Sequence, residues 1–315
     1  MIVLGFDTAT RSTTVGLRLA AGDTLQSRDD PGPGEHPGHA TRLLGMADEL
    51  LTRAGIDWSA LERIAVGLGP GAFTGLRVGV ATARGLAQSL EVELVGVSSL
   101  RALAAGGAGD GVAVNGGVAV RGGEAMEEGI APGMPRLLAV LDARRGEVFA
   151  AAYRMSERGL AEELVPARAL APEDLGSIVK QAEAQREGGQ GEQGKQGGQD
   201  ERREQGGQGK QDGQGGPWRA IGDGAIRFRG QLESAGVTVA PDSSPLHLLR
   251  AEAICDLGAR ARAVASYEAI VPNYCRRPDA EIALGRRRST RGAGDSGDAS
   301  VDAQASTGVH AEEGR

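Results

Sequence analysis

Residues 67–90 read GLGPGAFTGLRVGVATARGLAQSL, a glycine-rich turn that runs into a helix-forming stretch using glycine where alanine would be more stable. Gly75, Gly79, Ala83 and Ala87 recur every four residues and therefore share one helix face, with Gly85 on a neighbouring face. Each interior glycine costs roughly 1 kcal/mol against alanine, in a fold whose total stability is only about 5–15 kcal/mol. A stripe of this kind makes sense where another backbone comes close. That backbone belongs either to the same fold or to a partner, and the residues alone leave both open.

A strand, a glycine-rich turn and a helix start also form a natural anion cradle, because free N–H groups and the helix dipole converge there. The Walker form is excluded, since GPGAFTGLR carries no Gly-Lys-Ser/Thr and no lysine reaches a phosphate. The dinucleotide form fails as well: Gly69 and Gly71 are followed by Phe73 and Thr74, so the third glycine is missing. Glu91 and Glu93 stand at the start of the next strand rather than at its end. The structural reading makes Gly69-Pro70-Gly71 a tight turn, plugs the core with Phe73 and caps the helix with Thr74. Arg77 either ties the turn down or meets a partner carboxylate.

Only part of the 315 residues can build a core. The 51 glycines exceed twice the ordinary share. Residues 182–216 hold glycine, glutamine and charge with no aliphatic side chain larger than alanine, which predicts a disordered insertion. Residues 106–135 read as a glycine-rich loop and 279–315 as a disordered tail, with GRRRSTR a solvated run inside it. A net charge of -7 and 3% aromatic content argue against a free-standing nucleic-acid binder. Two isolated cysteines and an N-terminus without a basic, apolar leader predict a soluble cytoplasmic protein with no membrane contact.

The remaining stretches alternate in a regular way. IVLGFD and TTVGLRLA form a hairpin, GDTLQSRDD a third strand, and His39 to Ala54 an amphipathic helix stopped by Gly55. RIAVGLG, the helix after the turn, ELVGVS and a helix capped by Ser98 or Ser99 complete an order of βββαβαβα. RLLAVLDARRGEVFAAAYRM opens the second half as another hairpin. PEDLGSIVKQAE then gives a helix, WRAIGDG and VTVAP two strands, and Leu246 to Tyr267 a final long helix.

GLGPGAFTGLRVGVATARGLA, together with LGFDTAT, DARRGEVFAAAY and VPNYCRR, resembles the bacterial TsaB (YeaZ) family over residues 1–278. The resemblance implies an actin-like, Hsp70-like (ASKHA) two-lobe α/β fold, each lobe opening with an antiparallel hairpin followed by alternating strands and helices. The expected division is a partner-binding first lobe at 1–105 joined by segment 268–278, and a second lobe at 136–267. It further implies a non-catalytic subunit, without cofactor or metal, that dimerises with the catalytic subunit TsaD. With the ATPase TsaE, that complex installs N6-threonylcarbamoyladenosine at position 37 of tRNA, and tRNA is met only through the complex. First-lobe helices carry the family's contact, which maps here onto Leu43, Ala47, Leu50, Gly75, Leu76, Gly79, Ala83 and Arg84; the same surface can make a homodimer.

The chief alternative is a nucleotide-binding small-molecule kinase or ATPase of the same fold. Active relatives use Asp-x-Gly in the first hairpin, whereas this chain has Asp7-Thr8-Ala9-Thr10, and Asp7 reads as a strand-end cap. A metallopeptidase would rest on His36 and His39, which are spaced three apart across Pro-Gly without a third ligand.

Overall fold

Strand β1 (Val3–Asp7) is buried along its whole length and β2 (Thr13–Arg18) nearly so, and they pair as the expected hairpin. A computed structural model describes residues 1–108, 136–156, 161–189 and 217–276. Strand β3 (Thr24–Asp29) extends the hairpin antiparallel, and the chain passes through α1 (His39–Ala54) to β4 (Arg63–Gly67), parallel to β1. Helix α2 (Phe73–Leu90) then leads to β5 (Glu93–Val97), parallel to β4, and α3 (Ser99–Ala108) follows. The sheet order is β3-β2-β1-β4-β5.

The second half repeats this plan. Strands β6 (Arg136–Arg144), β7 (Glu147–Met155) and β8 (Ala161–Leu170) pair antiparallel. Helix α4 (Leu175–Gly189) precedes β9 (Trp218–Ile221), which lies parallel to β6. Short helices α5 (Asp223–Arg227) and α6 (Arg229–Ser234) lead to β10 (Thr238–Val239), and α7 (Ala251–Arg260) comes last. The order β8-β7-β6-β9-β10 has the connectivity of the first sheet, strand for strand. This is the two-lobe, actin-like α/β architecture the sequence implied.

The two lobes exchange their last helices. Helix α3 packs on β6, β7 and β8 of the second sheet, while α7 packs on β1, β2 and β4 of the first. Missing β-carbons let α7 in. A Cβ on Gly5 would stand 2.7 Å from Cys255 Sγ, one on Gly16 2.9 Å from Ala251 Cβ, and one on Gly258 would overlap Ala65 Cβ. Helix α3 lies between the two sheets, with Leu100, Leu103 and Ala104 in the core of the second and Ala102 beside Val95 and Val97 of the first.

Three expectations change. The long helix Leu246–Tyr267 is instead a 3-10 turn (Pro245–His247), α7, and a second 3-10 turn (Tyr267–Ala269). The Arg63 guanidinium ends α7 by donating to the carbonyls of Gly258 (2.8 Å), Ala259 (3.1 Å) and Ala261 (2.9 Å), where intrahelical donors run out. Residues 182–189 of the expected insertion belong to α4, which continues to Gly189. Ala182 is buried there, and Glu183 accepts from Trp218 Nε1 (2.8 Å) and pairs with Arg136. Likewise α3 takes residues 106–108 from the expected glycine-rich loop. The rest of that loop, residues 190–216 and the tail at 279–315 lie outside the described residues.

Gly258→Ala is expected to destabilise the protein by about 1–3 kcal/mol through overpacking against Ala65. A urea titration would show this as a lower midpoint with an unchanged slope.

Candidate functional site

Asp7, at the end of β1, is fully buried and anchors the turn that follows it. Its carboxylate accepts from Ala9 N–H (2.7 Å) and from Ser99 Oγ (2.5 Å), and Ser99 Oγ in turn accepts from Gly69 N–H (3.0 Å). Gly67 is required above it, since a β-carbon there would overlap Asp7 Oδ2. Burial pushes the Asp7 carboxyl above the ordinary range, the two hydrogen bonds opposing this. The strand-end role read from the sequence is the one observed.

The same turn explains the glycine stripe. Thr8 Oγ1 donates to Gly75 O (2.8 Å), and Ala9 O accepts from Ala72 N–H (2.7 Å) at the start of α2. A β-carbon on Gly71 would stand 2.5 Å from Ala9 Cβ, one on Gly75 would overlap Thr8 O, and one on Gly79 would overlap Thr8 Oγ1. Beside them the His39 ring is buried, its Nδ1 2.9 Å from Thr13 Oγ1, and desolvation holds its pKa below the usual value. The start of α2 thus faces protein groups in the position where an anion cradle would bind phosphate. Of the two backbones that could approach the stripe, it is the chain's own.

The outer side of α2 holds a different set of groups. Phe73 is half-buried rather than a core plug, its ring 4.9 Å from that of Tyr274, with the Arg77 guanidinium 3.8 Å over its face. Arg77 Nε also donates to Tyr274 Oη (3.2 Å), so Arg77 ties the turn to the C-terminal segment. Ala72 is the helix N-cap and Thr74 lies exposed within the first turn, which corrects the expected Thr74 cap. Arg84 is likewise engaged within the chain, donating to Glu268 O (2.8 Å) and Ile270 O (2.5 Å).

From there the segment crosses to the second lobe. Asn273 N–H donates to Leu68 O (2.7 Å), Cys275 Sγ lies 3.5 Å from Ala167 O, and Arg276 reaches Glu147 Oε2 (2.7 Å) and Ala143 O (3.3 Å). It ends beside the β6–β7 turn, where Arg144 (φ 64°), Arg145 (φ 55°) and Gly146 (φ 78°) are all left-handed and exposed. Arginine in this region costs roughly 1–2 kcal/mol per residue, and two-residue hairpin turns ordinarily place Asn, Asp or Gly there.

Between the lobes lies a cleft of about 190 Å3, lined by Thr10, Arg11, Ser12 and Arg28 on one side and by Asp223, Asp242, Ser244 and His247 on the other. Its cations are already paired. Arg28 donates to Asp30 Oδ2 (2.8 Å), Ser12 Oγ (2.7 Å) and Leu249 O (2.9 Å), and Arg11 to Gly32 O (3.1 Å) and Glu35 O (3.0 Å). Asp223 accepts from Asp142 N–H (3.0 Å), and burial raises its pKa. His247 bonds to Gly222 and Ala240 through its two ring nitrogens. Among the described residues no group of three or more His, Cys, Asp or Glu could hold a metal ion.

Residues 35–189 match the family model described as TsaD: tRNA N6-adenosine threonylcarbamoyltransferase. The tRNA threonylcarbamoyladenosine biosynthesis protein TsaB of Escherichia coli K12 is 33% identical over 160 residues, 51% of this chain and 58% of that protein. Its Bacillus subtilis 168 counterpart is 32% identical over 167 residues, 53% and 60% of the two chains. The chain therefore spans about three-fifths of these relatives. A solved Pseudomonas aeruginosa structure, described as an uncharacterized protein with similarity to peptidase YEAZ, superposes with a TM-score of 0.59 at 25% identity. That match covers 87% of this chain and 99% of the other. Over about half its length the chain is thus similar to proteins of the TsaB/YeaZ family.

In this chain the expected contact residues do not form a free surface. Leu43, Ala47, Leu50, Gly75, Leu76, Gly79 and Ala83 are all buried, packed between the first sheet, α1 and the Thr8–Ala9 turn. That part of the expectation is corrected: apolar periodicity marks a buried face whatever covers it. Gly69 and Pro70 are also buried, and Gly71 is partly so. The outward sides of α1 and α2 instead present Leu44, 49% exposed, with Gly45, Ala81 and Gly85. No atom lies within 4 Å of a β-carbon built on Gly45 or Gly85. The sequence reading missed Ser99 as the Asp7 partner and Tyr274 as the Phe73 partner, both pairings between residues far apart in the chain.

Gly75→Ala should cost about 1–3 kcal/mol, whereas Gly85→Ala, in open space, should gain about 0.5–1 kcal/mol; chemical denaturation of both variants separates the faces. Asp7 makes a pH-dependent contribution. Because its folded pKa is raised, the stability it adds is full below 3.8 and is lost as pH rises through the folded value. Asp7→Asn should therefore lose less stability than the parent protein between pH 3.8 and neutrality, measured by urea unfolding at stepped pH.

Proposed function

We propose that this chain is a non-catalytic dimerisation subunit in the formation of N6-threonylcarbamoyladenosine at position 37 of tRNA, docking on a catalytic subunit of the TsaD type. The names borne by the E. coli and B. subtilis relatives support the pathway, and the family model's description supports kinship with the catalytic partner. A TsaE-type ATPase would complete the assembly, and the free chain would use the same face to pair with a copy of itself.

One observation carries the docking assignment. Helices α1 and α2 lie side by side, and their outward faces combine an exposed leucine with small residues and two glycines that have open space above them. The missing β-carbons at Gly45 and Gly85 let another backbone approach closely there. The buried stripe holds α2 in place, and the outward face receives the partner. The scaffold role is supported by the hairpin turn. Ala9 brings a buried side chain to the place where active relatives have glycine, and its N–H is already bonded to Asp7.

Gly85→Arg should fold like the parent and lose co-purification with the cognate TsaD-type subunit, while Gly85→Ala retains it. Specific interfaces bury about 1,200–2,000 Å2 in total, so a bulky charge within one should be felt strongly. Undiminished co-purification of Gly85→Arg would remove this face as the contact. Depletion of the protein followed by nucleoside analysis of bulk tRNA tests the pathway itself, with loss of threonylcarbamoyladenosine as the expected result.

A further inference from the structure

The cleft between the lobes plays no part in the α1–α2 face, and its charges are unevenly satisfied. On the first-lobe wall Arg28 is fully engaged, its Nε and both terminal nitrogens donating to Asp30, Leu249 O and Ser12 Oγ. Arg11 is held differently. Both of its hydrogen bonds leave from Nη2 and end on carbonyls, at Gly32 (3.1 Å) and Glu35 (3.0 Å). These bonds fix the guanidinium without neutralising it, and among the described residues no carboxylate forms an ion pair with Arg11. A guanidinium carries five N–H groups, so those on Nε and Nη1 are left as donors.

The second-lobe wall shows the converse. Asp242 is paired with Arg229, and His247 spends its two ring nitrogens on Gly222 and Ala240. Asp223 is exposed and lines the cleft, and its hydrogen bond from Asp142 N–H (3.0 Å) goes to Oδ1 alone. Its charged neighbours Asp142 and Arg144 pair with each other, and among the described residues no arginine or lysine forms an ion pair with Asp223. One unmatched positive charge and one unmatched negative charge therefore line the same space from opposite walls.

The space itself limits what could lie between them. At about 190 Å3 it falls below the roughly 300–1,000 Å3 of pockets that take drug-sized ligands, which is small for a nucleotide and suited to a metabolite of a few heavy atoms. Part of the lining is aliphatic, from Leu141, Ile226 and Leu248, the last 42% exposed. A small zwitterion with a hydrocarbon body matches each of these features. Its carboxylate fits the free edge of a guanidinium, its ammonium forms a charge-assisted bond with a carboxylate, and its aliphatic part removes exposed leucine surface from water.

The geometry points to an aliphatic α-amino acid bound in the cleft between the lobes, its carboxylate on Arg11 and its ammonium on Asp223. The site lies apart from the α1–α2 docking face, and its test needs no partner subunit.

The test is calorimetric titration of the full chain with L-valine, compared with two molecules that each keep half of its charge: isovalerate, without the amine, and isobutylamine, without the carboxylate. Valine should bind saturably at millimolar concentration, and either fragment at least about tenfold more weakly, because one charge-assisted hydrogen bond is lost. Arg11→Gln and Asp223→Asn should each weaken valine binding about tenfold; asparagine keeps the oxygen that accepts from Asp142 N–H. Ser243→Trp fills the cleft from an exposed lining position, so it should abolish valine binding while the chain stays folded. The proposal is overturned by absence of saturable valine binding to the parent chain. Binding of either fragment as tightly as valine, or undiminished valine binding by Ser243→Trp, overturns it equally.

Discussion

The seating of the Thr8–Ala9 turn on the first two turns of α2 is the contact around which the first lobe is arranged. It needs bare backbone at residues 71, 75 and 79, and it is fixed from below by Asp7, Ser99 and the amide of Gly69. Any side chain on that stripe would push the turn away, and with it the Asp7 bonds that join β1 to the start of α3. The intrinsic helix-propensity cost of the glycines is thus offset inside the fold. Because the inward face of α2 is fully used by the chain itself, only its outward face remains for another protein.

The second constraint is the exchange of helices between lobes. Neither sheet covers its own inner face: α3 serves the second sheet and α7 the first, and each fits because glycine or alanine stands where the backbones approach. Arginine guanidinium groups then close the joins by satisfying carbonyls that no helix or strand can. Arg63 does this at the end of α7, Arg84 on the segment beside α2, and Arg276 at the β6–β7 turn. The C-terminal segment gains its course over both lobes from these bonds.

Much of the fold was legible because periodicity reports burial directly. The paired hairpins, the parallel strands that follow them and the helices α1 and α2 all came from alternation and from i, i+3, i+4 spacing. What periodicity does not report is the identity of the covering surface. The stripe Gly75, Gly79, Ala83 left own chain and partner equally open, and the expected contact residues Leu43, Ala47 and Leu50 proved to be core. Gly85 was visible as a glycine off the stripe, and its open surroundings are what give it meaning. The end of α7 was misread for a related reason: the residue that stops it, Arg63, lies nearly 200 positions earlier in the chain (|i−j| = 195).

By itself, the sequence determined the two-lobe plan, the family likeness and the absence of a glycine in the first hairpin where a phosphate would need one, since composition and local pattern act within a few residues. Only the tertiary structure decided which face of α2 is free, which sheet each terminal helix covers, and that Phe73, Arg77 and Tyr274 meet. Those outcomes depend on close approach between segments distant in sequence, where one β-carbon more or less determines whether two backbones can touch.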